Sequence, residues 1–144
     1  MGDGGPPIRV LLVDDSAMMR RVLRARLSAE DDVVVVVDEA ADGAEGVRKA
    51  EEHAPDVVLL DLEMPRVGGR EALPHLRART AARVVVVSSL VQPGAPIRTE
   101  MRRAGADAVL AKPSGALSLD LGSSVAGALV AAIRRSAARA RAAG

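Results

Sequence analysis

The chain has 144 residues, enough for one domain with a buried core, and its 49% hydrophobic and 27% charged residues fit a folded globular protein rather than a disordered one. It contains no cysteine, which excludes disulfides and thiolate zinc sites, and no aromatic residue, so the core must be aliphatic. The net charge of +1 hides an asymmetry, because acidic residues are concentrated before residue 64 and arginines toward the end.

The distribution of apolar and charged residues also bears on location and partners. No apolar run approaches the roughly 20 residues that a membrane helix needs, and the opening MGDGGPP lacks the basic and apolar segments of a signal peptide. We therefore expect a cytoplasmic protein without membrane contact. A basic cluster near the end is read as a solvated helix face, since no recognition motif accompanies it, and no nucleic-acid partner is expected. Its members are Arg134, Arg135, Arg139 and Arg141.

Five short apolar segments, rich in β-branched residues, are typical of strands buried on both faces. In chain order they are IRVLLV (8–13), VVVVV (33–37), DVVLL (56–60), RVVVV (83–87) and DAVLA (107–111). The stretches between them predict helices. The first begins after Ser16, a suitable cap, and carries an apolar stripe at helical spacing; the others span about 43–53, 67–79, 96–104 and 118–142.

The alternation of strands and helices predicts an α/β fold with a parallel sheet covered by helices on both faces. Five strands are too few for an eight-stranded barrel, so we expect an open, doubly wound, flavodoxin-like sheet in the order 2-1-3-4-5. Residues 1–7 are interpreted as a flexible head, 8–133 as the folded domain, and 134–144 as a basic helix end or the start of a linker.

Polar residues follow the predicted central strands at their carboxyl ends. Asp14 and Asp15 follow the first strand, Asp61 the third, Ser88 the fourth and Lys112 the fifth. These strand ends share one edge of a parallel sheet, where ligands bind. Three carboxylates there require a cation, and Mg²⁺ is the natural candidate. A carboxylate beside Mg²⁺ can attack a phosphoryl group, whose other oxygens the lysine and serine would bind.

Taken singly, each of these residues has a purely structural explanation. Asp15 with Ser16 could cap a helix, Asp61 could be a turn residue, Ser88 could cap whatever follows its strand, and Lys112 could be exposed. Their coincidence at one edge favours a functional site. The lysine at position 112 also favours a functional site. Apart from Lys49, every other residue among the lysines and arginines is an arginine, and an ammonium differs from a guanidinium in being a compact point charge. We expect the second strand to end at Asp38-Glu39, away from the centre of the sheet.

The segments VLLVDDS, VVLLDLEMPRVGG, VVVVSS and VLAKPSG resemble the receiver domain of bacterial two-component response regulators over about residues 8–115. The resemblance implies that Asp61 accepts a phosphoryl group from a histidine kinase. It also implies that Asp15, Asp61 and the backbone carbonyl of Glu63 bind Mg²⁺ with Asp14 close by, and that Ser88 and Lys112 bind the phosphoryl group. The peptide bond before Pro113 is expected to be cis.

A narrower resemblance joins IRVLLVDDSAMMRRVL, VSSL and GADAVLAKPSGALSLD to the N-terminal domain of chemotaxis protein-glutamate methylesterases. It implies an output methylesterase domain in cis, or another protein partner. No nucleophile motif of such a domain occurs in the sequence, so we read the chain as a receiver fragment or a free-standing relative. Receivers usually carry an aromatic switch residue where this chain has Val109, so the aromatic relay is not expected to operate, although phosphoryl binding is.

Two other functions stay open at this point. A phosphatase of the haloacid dehalogenase type also uses a strand-end aspartate and Mg²⁺, and Asp61-Leu62-Glu63 resembles its motif. However, that nucleophile belongs to the first strand of its motif order and cap insertions are usual, whereas the connections here are short. A DNA-binding regulator lacks space for an output domain. The only enzymatic activity expected of this chain is self-phosphorylation and autodephosphorylation.

Overall fold

The computed structural model describes residues 5–30, 32–89, 91, 94–112 and 122–143, with the backbone alone for 122–126 and 141–143. Five strands alternate with five helices in this part of the chain. They are β1 (Ile8–Val13), α1 (Ala17–Ser28), β2 (Val34–Ala40), α2 (Gly43–His53), β3 (Val57–Asp61), α3 (Gly69–Arg79), β4 (Arg83–Ser88), α4 (Pro96–Arg103), β5 (Ala108–Ala111) and α5 (Gly122–Ala143).

The strands form one parallel sheet in the order β2-β1-β3-β4-β5, which confirms the predicted doubly wound α/β fold. Successive strand residues face opposite sides of the sheet, and each side has its own apolar cluster. Leu11 and Val13 of β1 pack with α2, α3 and α4, whereas Val10 and Leu12 pack with α1 and α5. Both faces are therefore covered, which explains why the strands are apolar without alternation.

The helix beginnings follow from local hydrogen bonds. The Ser16 hydroxyl accepts from the Met19 amide at 3.1 Å, so Ser16 caps α1 as predicted. Before α3, the Glu71 carboxylate accepts from the Gly68 amide at 3.0 Å, and the helix begins at Gly69 rather than at 67. A Cβ at Gly69 would lie 2.4 Å from the Asp61 carbonyl oxygen, so only glycine permits this helix to start against the end of β3.

The prediction for the second strand was wrong about where it ends. β2 continues to Ala40, and its pairing with β1 shifts register between Val10 and Leu11, which places Asp38 and Glu39 inside the strand. Asp38 lies 3.2 Å from the Lys49 ammonium, and Glu39 is paired with Arg20 at 2.9 Å. These acids link the edge strand to α2 and α1, and strand pairing extends over polar residues beyond the apolar run 33–37.

The last helix packs on the sheet through side chains at helical spacing. Leu129 and Ile133 are buried, while Leu121 and the side chain of Val125, which continue the same spacing toward the start of the helix, lie outside the described residues. Burial continues to Ser136 and Ala137, beyond the predicted domain boundary at 133, which stays a prediction. The expected cis bond before Pro113 also lies outside the described residues. Within the part of the chain that the structure describes, no helix combines the length and apolar character needed to cross a membrane.

Candidate functional site at the carboxyl edge of the sheet

Three carboxylates meet at the carboxyl ends of β1 and β3. One oxygen from each of Asp14, Asp15 and Asp61 lies within 4.8 Å of the others. Val13 is paired with Leu60, so the residues that follow them, Asp14 and Asp61, emerge side by side from neighbouring strands. Asp14 and Asp61 are only 3% and 2% exposed, whereas Asp15 is exposed. The structure thus brings together the three acids that the sequence placed at this edge.

The backbone around Asp14 holds its carboxylate in place. Its Oδ1 accepts a hydrogen bond from the Ser16 amide at 2.8 Å, and its carbonyl oxygen accepts from the Arg20 guanidinium at 2.5 Å. Its amide donates to the Ala40 carbonyl on β2 at 3.0 Å. These contacts fix Asp14 relative to α1 and β2. Its second oxygen, Oδ2, is therefore held in the cluster by well-ordered neighbours.

Lys112 brings the cationic group. Its Nζ lies 3.1 Å from Asp61 Oδ1 and 3.5 Å from Asp14 Oδ2, and its amide donates to the Ser88 carbonyl at 3.0 Å. Burial lowers the pKa of Lys112, but the hydrogen bond to Asp61 and the charges of both acids outweigh it, and the net effect raises the pKa. The lysine is therefore an ammonium at neutral pH, shared between two buried carboxylates.

One ammonium does not compensate the buried acids. Burial, with a further contribution from the charge of Asp14, raises the pKa of Asp61 to about 6, despite the opposing effect of Lys112. Asp61 Oδ1 accepts from the Glu63 amide at 3.2 Å, but Oδ2 is buried and has no hydrogen-bond partner among the described residues. An unpaired buried oxygen amid repelling carboxylates suits a hard divalent cation, which takes oxygen ligands. The residues present therefore fit Mg²⁺.

Ser88 ends β4 and is completely buried. Its hydroxyl donates to Glu63 Oε2 at 2.6 Å, and the Ser89 hydroxyl and amide donate to Glu63 Oε1 at 3.0 and 3.3 Å. The sequence predicts a backbone-carbonyl role for Glu63, which stays a prediction, and the phosphatase alternative draws on its acidic side chain, but neither interpretation predicts this side-chain contact with Ser88. The signal in the sequence was the position of Glu63 two residues after Asp61, together with the adjacent Ser88 and Ser89 at the end of the next strand.

Val109 occupies the position at which receivers usually carry an aromatic switch residue. It lies in β5 and is 1% exposed. It belongs to the apolar cluster that includes Met101 of α4, and its carbonyl accepts from the Arg98 guanidinium at 2.6 Å. Its side chain is thus a core element in this structure, joined to α4 through packing and a backbone hydrogen bond.

Comparisons with known proteins agree with this geometry. Residues 10–120 match the response regulator receiver domain family. The protein-glutamate methylesterase/protein-glutamine glutaminase of Thermotoga maritima is 47% identical over 112 residues, which cover 78% of this chain and 32% of that protein. The chain therefore spans about a third of the length of that curated relative.

Solved structures give the same result at the level of the domain. The response regulator domain of Thermotoga maritima CheB superposes with a TM-score of 0.82 at 44% identity, covering 91% of this chain and 96% of that one. A chain in the crystal structure of the P1 domain of CheA3 in complex with CheY6 from R. sphaeroides gives 0.75 at 36% identity, with coverage of 93% and 99%. The predicted resemblance is confirmed: the chain belongs to the response regulator receiver domain family and is similar, within it, to the receiver domains of protein-glutamate methylesterases.

Proposed function

We propose that this domain is the phosphoacceptor switch of a chemotaxis-type two-component system, in which Asp61 accepts a phosphoryl group from a histidine kinase. The observation that carries the proposal is the state of Asp61: it is buried, one oxygen has no protein hydrogen-bond partner among the described residues, and the Lys112 ammonium is 3.1 Å from the other oxygen. A carboxylate that is desolvated and incompletely paired is a suitable nucleophile toward phosphorus.

The side chains have separate tasks in the transfer. A carboxylate oxygen of Asp61 forms a bond to phosphorus while the bond from phosphorus to the donor imidazole nitrogen breaks, and the electron pair stays with that nitrogen. Lys112 and the Ser88 hydroxyl bind the oxygens of the transferred group. Asp15, Asp61 and the Glu63 carbonyl would hold Mg²⁺ with Asp14 alongside, and the ion supplies positive charge that offsets the charge of the phosphoryl oxygens.

The relatives support the choice of partners. The structure from R. sphaeroides contains the P1 domain of CheA3 in complex with CheY6, and the Thermotoga maritima relative is a methylesterase of which this chain matches about a third. We therefore propose a histidine kinase as phosphodonor and a methylesterase domain in cis as output. A free-standing regulator acting on another protein partner is the alternative. A cytoplasmic location belongs to the same proposal.

The test is incubation with Mg²⁺ and acetyl phosphate, followed by intact-protein mass spectrometry. We expect the mass of one added phosphoryl group, lost on Asp61→Ala and on chelation of Mg²⁺. Asp38→Ala is the matched control, because Asp38 is an acid of the edge strand β2 that is engaged with Lys49 instead of with the cluster. Phosphorylation that survives Asp61→Ala would contradict the proposal. Many-turnover release of phosphate from small phosphate esters would favour the phosphatase instead.

A further inference from the structure

The contact between Ser88 and Glu63 has a consequence for the phosphoryl site. The donor–acceptor distance of 2.6 Å, from a hydroxyl to a carboxylate oxygen, is that of a strong, charge-assisted hydrogen bond. A serine hydroxyl has only one proton to donate. In this structure that proton is committed to Glu63, so the same hydroxyl cannot also donate to a phosphoryl oxygen on Asp61.

We propose that the Glu63 carboxylate is a latch that holds the Ser88 hydroxyl in the unphosphorylated state and competes with the phosphoryl group for it. The inference rests on the proposed function, since it assumes that Ser88 binds the phosphoryl group. Glu63 is a positioning residue in this scheme: its side chain acts through Ser88, while its amide donates to Asp61 Oδ1 at 3.2 Å. The latch and the phosphoacceptor therefore belong to one short segment.

The latch can open without leaving a buried charge unpaired. Glu63 is only partly buried, so water can replace the serine hydroxyl at Oε2. The Ser89 hydroxyl and amide continue to hold Oε1 at 3.0 and 3.3 Å. Release of Ser88 consequently costs one charge-assisted hydrogen bond, and the cost is subtracted from the binding of any group that recruits the hydroxyl. The transfer of the Ser88 hydroxyl from Glu63 to the phosphoryl group requires no rotation of an aromatic side chain, so it can operate in a chain that has Val109 at the switch position.

The test measures binding of beryllofluoride, a phosphoryl mimic, in the presence of Mg²⁺. Fluorine NMR or calorimetry is suitable, because a chain without aromatic residues has no intrinsic fluorescence to follow. We expect Glu63→Ala to bind about tenfold more tightly than the wild type, the lower end of the range for one hydrogen bond to a charged group. Glu63→Gln should give a smaller gain, about threefold, because a neutral acceptor holds the hydroxyl more weakly.

A double-mutant cycle with Ser88→Ala distinguishes the latch from simple repulsion between Glu63 and the anion. If Glu63 acts through Ser88, Glu63→Ala changes the affinity less than about twofold in the Ser88→Ala background. An equal gain in both backgrounds, or no gain in either, would overturn the latch. Glu52→Ala, which removes an exposed charge from α2, is the matched control and should leave the affinity unchanged. Failure of the wild type to bind beryllofluoride would instead count against the proposed function itself.

Discussion

Replacing Asp61 by asparagine should stabilise the metal-free domain, although it removes the phosphoacceptor. Burial and the neighbouring charge of Asp14 raise the pKa of Asp61 from 3.8 to about 6. Since one pKa unit corresponds to about 1.4 kcal/mol, keeping this carboxylate ionised costs the folded state up to about 3 kcal/mol at neutral pH. Asparagine keeps the shape and the Oδ1 acceptor without the charge. We expect its free energy of unfolding to exceed that of the wild type by about 1–3 kcal/mol, because the variant does not carry the cost of an ionised carboxylate at this buried position.

The dependence of this difference on pH has a definite sign. Between pH values of about 4 and 6, Asp61 is protonated to a greater extent in the folded wild type than in the unfolded chain. The contribution of Asp61 to stability is therefore fully present below the unfolded pKa and is lost as the pH rises through the folded one. The asparagine variant lacks this loss. The two proteins should differ little near pH 4, and the gap should open toward neutral pH.

Urea denaturation followed by far-ultraviolet circular dichroism, with a chelator present, measures this gap. Asp38→Asn is the matched control: the Glu39 amide, with Lys49 and His53, holds the pKa of Asp38 below its ordinary value, so this substitution should destabilise the domain at neutral pH. Mg²⁺ should narrow the gap between wild type and Asp61→Asn, because it stabilises the ionised cluster. Equal stability of the two proteins at neutral pH, or a difference in stability that does not depend on pH, would contradict this prediction.

Three further substitutions test the supporting structure. Lys112→Ala should lower the free energy of unfolding by about 1–2 kcal/mol at neutral pH, because two buried carboxylates lose their cation. Protonation of Asp61 limits this cost. A variant that urea denaturation shows to be more stable than the wild type would contradict the prediction. Gly69→Ala should cost about 1–3 kcal/mol by the same assay, since its Cβ would meet the Asp61 carbonyl, and unchanged stability would mean that α3 can shift. Ser16→Ala should cost about 1 kcal/mol through the lost cap. It should leave phosphorylation by acetyl phosphate unchanged, because the amide that donates to Asp14 is retained; impaired phosphorylation would show that the hydroxyl matters to the site.

The sheet and the polar residues at its carboxyl edge could be predicted from the sequence alone. Unbroken runs of β-branched residues identified five buried strands, and the caps at the helix starts are local, as the bond from Met19 to Ser16 illustrates. Parallel strands present their carboxyl ends at one edge, so Asp14, Asp61 and Lys112 could be assigned to a common region before any contact was known. These inferences succeed because they depend on neighbours in the chain and on a rule of topology.

The pairing of side chains, in contrast, depends on how the chain packs in three dimensions. Ser88 is separated from Glu63 by 25 residues, and their hydrogen bond exists because β3 and β4 are adjacent and the loops after them converge. Asp38 and Glu39 were expected to end a strand, but pairing with β1 continues through them, and their side chains contact Lys49 and Arg20. The pKa of Asp61 likewise depends on burial and on the distance to Asp14. Side-chain contacts at this range are set by packing, which neither periodicity nor motif spacing encodes.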